Sequence, residues 1–265
     1  MSAEIISLLS IVAVCLFAYM SFWFVVSAIR KRNDVADIAW GLGFVFAAAI
    51  AWVTNSKPGP LAGVSLALTT LWGVRLATHI YLRNQGKKED FRYAQWRKDW
   101  GAWFYLRSFL QVFLLQGVLL FTVVLAVVLT VGLPHTLSVS AWALAGIITW
   151  LFGFYFETIG DWQLSKFIAN KRNKGKIMDQ GLWQYTRHPN YFGEVTQWWG
   201  LWLVLCATDL SSSVKLLGLI SPMTITTLIL FVSGVPLLEK RYAKDPAYQK
   251  YAQHTNKFFP WSKRS

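Results

Sequence analysis

The chain has 265 residues, of which 55% are hydrophobic and only 15% charged, with a formal net charge of +13 and a mean hydropathy of +0.38. That leaves too little charge to cover a soluble surface of this size, and it excludes disorder, collagen and a secreted disulfide scaffold. Only Cys15 and Cys206 are present, both inside apolar runs, so they are expected to pack between helices and not to form a disulfide or a thiolate metal site.

A bilayer core of about 30 Å takes about 20 helical residues. Seven segments meet that length, at 4–29, 37–53, 61–84, 105–131, 141–160, 191–207 and 214–238. The expected fold is therefore an all-α integral membrane protein with seven transmembrane helices. The first segment is too long for a signal-peptide core, and no small-residue cleavage site precedes Arg30, so it is read as a retained span. Lys and Arg crowd the segments after the first, third and fifth spans and the C-terminal tail. Lys57 and Lys215 alone fall on the alternate side, while Arg75 and Arg107 lie inside spans. Because cytoplasmic loops collect cations, this asymmetry places the N-terminus outside and the C-terminus in the cytoplasm.

The positive charge is thus the cytoplasmic excess of a membrane protein, attracted to anionic lipids. Nucleic acid is not an expected partner, since there is no independent basic domain and no zinc-ligand spacing. No repeat or long linker divides the chain, so a single membrane domain over 1–265 is the economical reading.

Ionisable groups at membrane depth are costly and need partners, water or a function. Arg75 and His79 share a face of the third span, Gln111 and Gln116 lie in the fourth, and Glu157 precedes Asp161 by four residues. Asn190, Glu194 and Gln197 share a face at the start of the sixth. Either they satisfy one another near the interface or they line a polar pocket. All fall in cytoplasmic half-spans, which favours a pocket opening to the cytoplasm. Asp34 and Asp37 sit at the mouth of the second span, where they can cap the helix or turn a carboxylate into that pocket.

The stretch 157–194 is the densest in chemistry. Lys171, Arg172, Lys174 and Lys176 form a cationic cluster. Asn173, Gly175 and Gly181 break helix, and Pro189 opens the sixth span behind Arg187 and His188. Cations beside a helix N-terminus suit a diphosphate. His135 and His254 read as solvated surface residues. No metal is assigned, for no spacing of His, Cys or carboxylates fits one, and no G-x-G-x-x-G follows a strand.

With these residues in view, GLWQYTRHPNYFGE, preceded by GDWQLSKF and followed by LLEKRYAKDPAYQKYAQHTNKFFPW, resembles the steroid 5α-reductase C-terminal family. NDVADIAWGLGF and WGVRLATHIYLRNQGKKEDFRY extend the resemblance to that superfamily's bacterial branch, long labelled a domain of unknown function. The same core is shared by NADPH-dependent sterol C14 reductases and by isoprenylcysteine and phospholipid methyltransferases, which use S-adenosylmethionine.

The resemblance implies a membrane oxidoreductase of lipid metabolism in the bacterial inner membrane. It would transfer hydride from NADPH to the activated C=C bond of a lipid-like enone, a 3-oxo-4-ene steroid being one example. Helices one to four (1–132) would hold the substrate, and 133–265 the nucleotide on the cytoplasmic side. The implied nucleotide contacts are Asp161, Lys171, Arg172, Lys176, Arg187, His188, Asn190, Tyr191 and Glu194, with Arg75 and Arg92 in a second group. Tyr93, Asp37 and Glu194 are the candidate catalytic donors or their orienting partners. The family's Gln-Glu pair has no counterpart, and Trp72 stands where its catalytic tyrosine is expected. Two other readings stay open: a membrane methyltransferase using S-adenosylmethionine, and a non-enzymatic lipid-binding membrane protein.

Overall fold

Backbone in lipid can satisfy its polar groups only within helices or closed barrels, and this chain takes the first course. The computed structural model describes residues 2–136 and 141–262. Its helices are α1 (Ala3–Arg30), α2 (Val35–Thr54), α3 (Pro60–Asn84), α4 (Phe91–Trp100), α5 (Phe104–Arg107) and α6 (Leu115–Gly132). There follow α7 (Ala141–Ala169), α8 (Pro189–Cys206), α9 (Ser212–Gly218), α10 (Ile220–Thr227), α11 (Val235–Tyr242) and α12 (Pro246–His254). Among the described residues the extended structure is one isolated bridge between Thr186 and Asn256.

Among the described residues six helical segments are long and apolar enough to cross a membrane: α1, α2, α3, the run Phe91–Gly132, α7 and the run Ser212–Tyr242. Val14, Phe17, Phe22, Val25 and Ile29 of α1 are exposed, as lipid-facing residues are in the absence of lipid. The boundaries differ from the sequence reading in four places. The fourth span is preceded by the polar helix α4, so a continuous helical run begins at Phe91, and it passes through a π-helical stretch at Ser108–Leu114 before α6. Helix α7 continues nine residues past 160, because Asp161, Gln163 and Lys166 follow the helix out as it leaves the apolar stretch. The expected sixth span coincides with α8, which is outside the six because Asn190, Glu194 and Gln197 make its first half polar. The last run is interrupted at Leu219, by a π-helical turn at Leu228–Val232 and at Gly234.

The chain forms two compact units. The first comprises Met1–Val139 and Leu205–Ser221, the second Ser140–Val204 and Pro222–Ser265. In the first, α2 packs on α3 where Gly41 and Gly73 face each other: a Cβ at Gly73 would lie 2.5 Å from the Gly41 carbonyl oxygen. Only hydrogen fits there, which brings the two backbones into direct contact. Met20, Val35, Ala36, Tyr93, Val112 and Phe113 form a buried cluster. Asn33, buried in the α1–α2 turn, ties it down by accepting from Ser27 Oγ (2.6 Å) and donating to Ser108 Oγ (2.7 Å) and, through its backbone N–H, to Glu89 (2.7 Å). Ser221 Oγ donates to the Val123 carbonyl and returns the later segment to α6.

His135 is not the solvated residue that its loop position suggests. It is 8% exposed, its Nδ1 lies 3.1 Å from the Leu133 carbonyl, and the ring lies against Gly59, where any Cβ would collide with it.

In the second unit, α7 and α8 cross on glycines. A Cβ on Gly146 would meet the Gly200 carbonyl at 2.8 Å, and one on Gly153 would meet the Gly193 carbonyl at 2.6 Å. On α7 these glycines recur every seven residues, as they do on α8, so both sets stay on the contact face of the pair.

Candidate functional site

In the first unit the candidate donor is positioned from its own helix start. Asp90 caps α4 by accepting from the Arg92 backbone N–H and from its guanidinium Nε, both at 2.9 Å. Burial pushes the Asp90 carboxyl up, but these Arg92 bonds outweigh it and hold the group below the usual carboxylate range. The cap sets the first turn so that Tyr93 points inward, 3% exposed, and its hydroxyl donates to Asp37 Oδ1 at 2.9 Å. Arg92 Nη2 lies 3.6 Å from the other Asp37 oxygen. Gln116 adjoins the same tyrosine hydroxyl, and its Oε1 is buried without a hydrogen-bond partner.

Of the two early aspartates only Asp37 joins this group. Asp34 stands at the N-cap position of α2 but makes no cap bond. Its carboxylate is held instead by Arg32 in a paired contact of 3.0 and 2.6 Å, because the adjacent guanidinium offers two donors where the helix offers one. Arg75 sits half-buried on α3, one turn from Trp72. Trp72 is 2% exposed and packs edge-on against Phe44 at 5.1 Å.

In the second unit α8 begins at Pro189, as the ring's fixed φ favours. Arg187 makes its contacts within the protein. Its Nε and Nη2 donate to the two oxygens of Glu239 at 2.9 Å each, and its Nη1 donates to the Ala252 and Thr255 carbonyls at 3.0 and 2.8 Å. Burial pulls its pKa down, but the Glu239 carboxylate more than offsets this and raises it. Four of the five guanidinium donors thus hold the C-terminal segment, at the residue that the resemblance places against the nucleotide.

His188 is 2% exposed, and its Nε2 lies 3.0 Å from the same Glu239 oxygen. A carboxylate only accepts, so Nε2 carries hydrogen; Nδ1 is buried without a partner. Tyr191 stacks on this ring at 5.7 Å. Asn190 Nδ2 donates to Asp161 Oδ1 at 3.0 Å, joining α8 to the end of α7. Buried Gln197 donates to Glu157 at 2.5 Å. Glu194 lies half-buried one turn below Asn190.

Lys171, Arg172, Lys174 and Lys176 are exposed on a built loop. Asn170 caps its short 3-10 turn by accepting from the Arg172 N–H at 3.0 Å, and Gly175 takes a φ of +79° that only glycine adopts without strain. Sequence reasoning missed Glu239 and Tyr248, the latter donating to Glu239 at 2.8 Å. The signal was a carboxylate in LLEKRY, but nothing local joins it to an arginine 52 residues earlier.

Among the described residues no group of three His, Cys, Asp or Glu side chains could hold a metal ion. The model of a family described as a protein of unknown function, DUF1295, matches residues 23–255. The chain belongs to the DUF1295 family. No curated protein and no solved structure matches it. The matched stretch of this DUF1295 chain includes both clusters, from Asp37 to Glu239.

Proposed function

We propose that this DUF1295 chain is a seven-span membrane reductase of the steroid 5α-reductase type, with its N-terminus outside and its nucleotide site on the cytoplasmic side of a bacterial inner membrane. Its reaction is the NADPH-dependent reduction of the activated C=C bond of a lipid-like enone, with 3-oxo-4-ene steroids within that class.

The observation that carries the reading is the 2.9 Å hydrogen bond from the buried Tyr93 hydroxyl to Asp37, beside an unpartnered Gln116 oxygen. Reduction of an enone builds negative charge on the carbonyl oxygen, and a donor fixed in a water-poor site stabilises that charge strongly. Tyr93 offers such a donor, and Asp37 governs it. With Asp37 ionised the phenol proton points to the carboxylate; with Asp37 protonated the bond reverses, and the phenol O–H is released to a ligand oxygen. Methyl transfer to a thiol or amine calls for no such acid.

Asp161, Asn190, Tyr191, Glu194, the unpartnered Nδ1 of His188 and the cations Lys171, Arg172 and Lys176 are the groups that would hold the nucleotide. NADPH supplies hydride when bound. The buried, unpartnered Nδ1 of His188 and the cationic loop fit a phosphorylated ligand that also carries polar groups. S-adenosylmethionine brings no phosphate for the loop cations to meet.

The test uses full-length protein in lipid nanodiscs. NADPH should raise the thermal midpoint while S-adenosylmethionine and its homocysteine product do not, and an enone survey read by NADPH consumption and product mass should give turnover. Tyr93→Phe should lower kcat by about 10²- to 10³-fold with nucleotide stabilisation retained. Stabilisation by S-adenosylmethionine alone would favour the methyltransferase. No response to either nucleotide would leave a lipid-binding protein.

A further inference from the structure

In the first unit, at the end away from Arg30, adjoining clefts open where α1 starts, α6 ends and α9 begins. The larger, of about 730 Å³, is walled by Ile5, Leu133, Leu210, Val214 and Leu217, a size and an apolar character usual in small-molecule sites. The smaller, of about 180 Å³, has a polar wall of Ser7, Thr54, Asn55 and Ser56. Glu4 and Pro134 line both clefts, and among the described residues Glu4 is the only charged side chain in either lining.

Hydrogen bonds and close packing fix these walls. Ser2 caps α1 by accepting from the Ile5 N–H at 3.4 Å. The Leu8 side chain lies over Gly132, where a Cβ would stand 2.6 Å from its methyl carbons, so α1 and α6 touch there. Asn55 Nδ2 donates to the Val131 carbonyl at 2.9 Å, and its Oδ1 accepts from the Lys57 N–H at 3.0 Å. Asp209 accepts from the Thr136 N–H and hydroxyl at 3.0 and 2.6 Å, which holds the chain after Pro134 to the turn before Leu210.

The rims point to an occupant that comes from the bilayer. Leu216 on the larger cleft and Ile11 on the smaller are 66% and 40% exposed, so both clefts run out onto apolar surface that faces lipid. A lipid chain that slides into an apolar cleft exchanges one apolar surrounding for another, so selection falls on the headgroup. There the single carboxylate decides: it repels an anionic head and attracts a cationic one. A quaternary ammonium is held by aromatic faces, and among the described residues neither lining contains an aromatic side chain. A primary ammonium instead donates charge-assisted hydrogen bonds to a carboxylate.

We propose that these clefts hold an aminophospholipid with the chemistry of phosphatidylethanolamine. A chain lies in the larger cleft, the ammonium sits on Glu4, and the phosphate accepts from the hydroxyls of Ser7 and Ser56 in the smaller. The site uses no residue of the Tyr93 or Glu239 clusters and stands apart from the reductase reading.

The test counts lipids bound to the full-length protein by native mass spectrometry, in non-ionic detergent with dioctanoyl phosphatidylethanolamine, phosphatidylcholine or phosphatidylglycerol added in turn. Glu4 is exposed and exposed ion pairs are weak, so wild type should favour the ethanolamine lipid over either of the others by about two- to fivefold. Glu4→Gln should erase that preference while still binding all three, and Glu4→Lys should shift it to phosphatidylglycerol. Leu217→Trp, which fills the larger cleft, should weaken all three alike with the thermal midpoint retained. The preference is a ratio within one protein, and a fold defect, which lowers every lipid together, does not mimic the Glu4 result. Equal binding of the three lipids by wild type overturns the proposal, as does tighter binding of phosphatidylcholine or phosphatidylglycerol. So does an ethanolamine preference that survives in Glu4→Gln, or undiminished binding by Leu217→Trp.

Discussion

Glu239 receives four hydrogen bonds on one carboxylate, from Arg187 Nε and Nη2, His188 Nε2 and the Tyr248 hydroxyl. Glu239→Ala would leave the Arg187 guanidinium, whose side chain is 10% exposed, with only the two carbonyls of Ala252 and Thr255. Removing one partner of a buried ion pair costs about 3–5 kcal/mol. Since Glu239 is itself 23% exposed, water recovers part of this, and a loss of about 2–4 kcal/mol is expected. That corresponds to a midpoint lowered by about 5–10 °C. The loss should also be local. Hydrogen exchange at residues 246–258 should accelerate while the amides of α2 and α3 in the first unit stay protected. The double variant Arg187→Met, Glu239→Met should cost less than the sum of the two single changes, because it leaves no charge stranded. Unchanged exchange in α12 of Glu239→Ala, or simple additivity in the double variant, would refute the clamp.

The glycine contacts give opposite signs from one kind of change. Gly153→Ala, with its new Cβ 2.6 Å from the Gly193 carbonyl, should destabilise by about 1–3 kcal/mol. Gly63→Ala in α3, with only Trp52 at 4.0 Å, should stabilise by up to about 1 kcal/mol; thermal melts of the two variants decide both. Asp90, held below the usual carboxylate range, contributes a helix cap that is fully present above that range and is lost as pH falls through its lowered value. Asp90→Ala should therefore cost about 0.5–2 kcal/mol at neutral pH, and the gap from wild type should close on acidification; a pH-independent gap in melting temperature would contradict the assignment.

Runs such as 4–29 and 61–84 are legible because an unbroken apolar stretch of that length in lipid satisfies its own backbone only as a helix, and Pro189 marks the start of α8 by its own ring. The pairing of Tyr93 with Asp37 could be anticipated only as two candidate residues, since a 2.9 Å contact across 56 positions depends on how α4 settles on α2. Residues 85–104 read as a charged connector because α4 has polar residues on most of its surface and buries little beyond Tyr93. The partner of Arg187 was hidden for a related reason: Glu239 supplies an internal anion 52 residues away that no local pattern announces. The seven-residue recurrence of Gly146, Gly153 and Gly160 is plain in the sequence, yet its meaning comes only with Gly193 and Gly200 opposite. His135 is buried because Gly59 makes room for it, a vacancy invisible from either neighbourhood alone.

The two compact units are interlaced along the chain: Met1–Val139 belongs to the first, the next stretch to the second, Leu205–Ser221 to the first again, and the remainder to the second. No single cut therefore separates the two units from each other. A fragment ending before residue 205 lacks α9, whose docking on α6 is fastened by Ser221, and a fragment beginning at 140 carries that segment away from its seat. During synthesis the early helices must wait, unfinished, until residue 221 has left the ribosome, while α7 and α8 can already close on their glycines. Genetic fusions, split reporters and truncations that treat residue 140 as a border would sever the first unit while appearing to spare it, so the natural unit of inheritance here is the whole polypeptide.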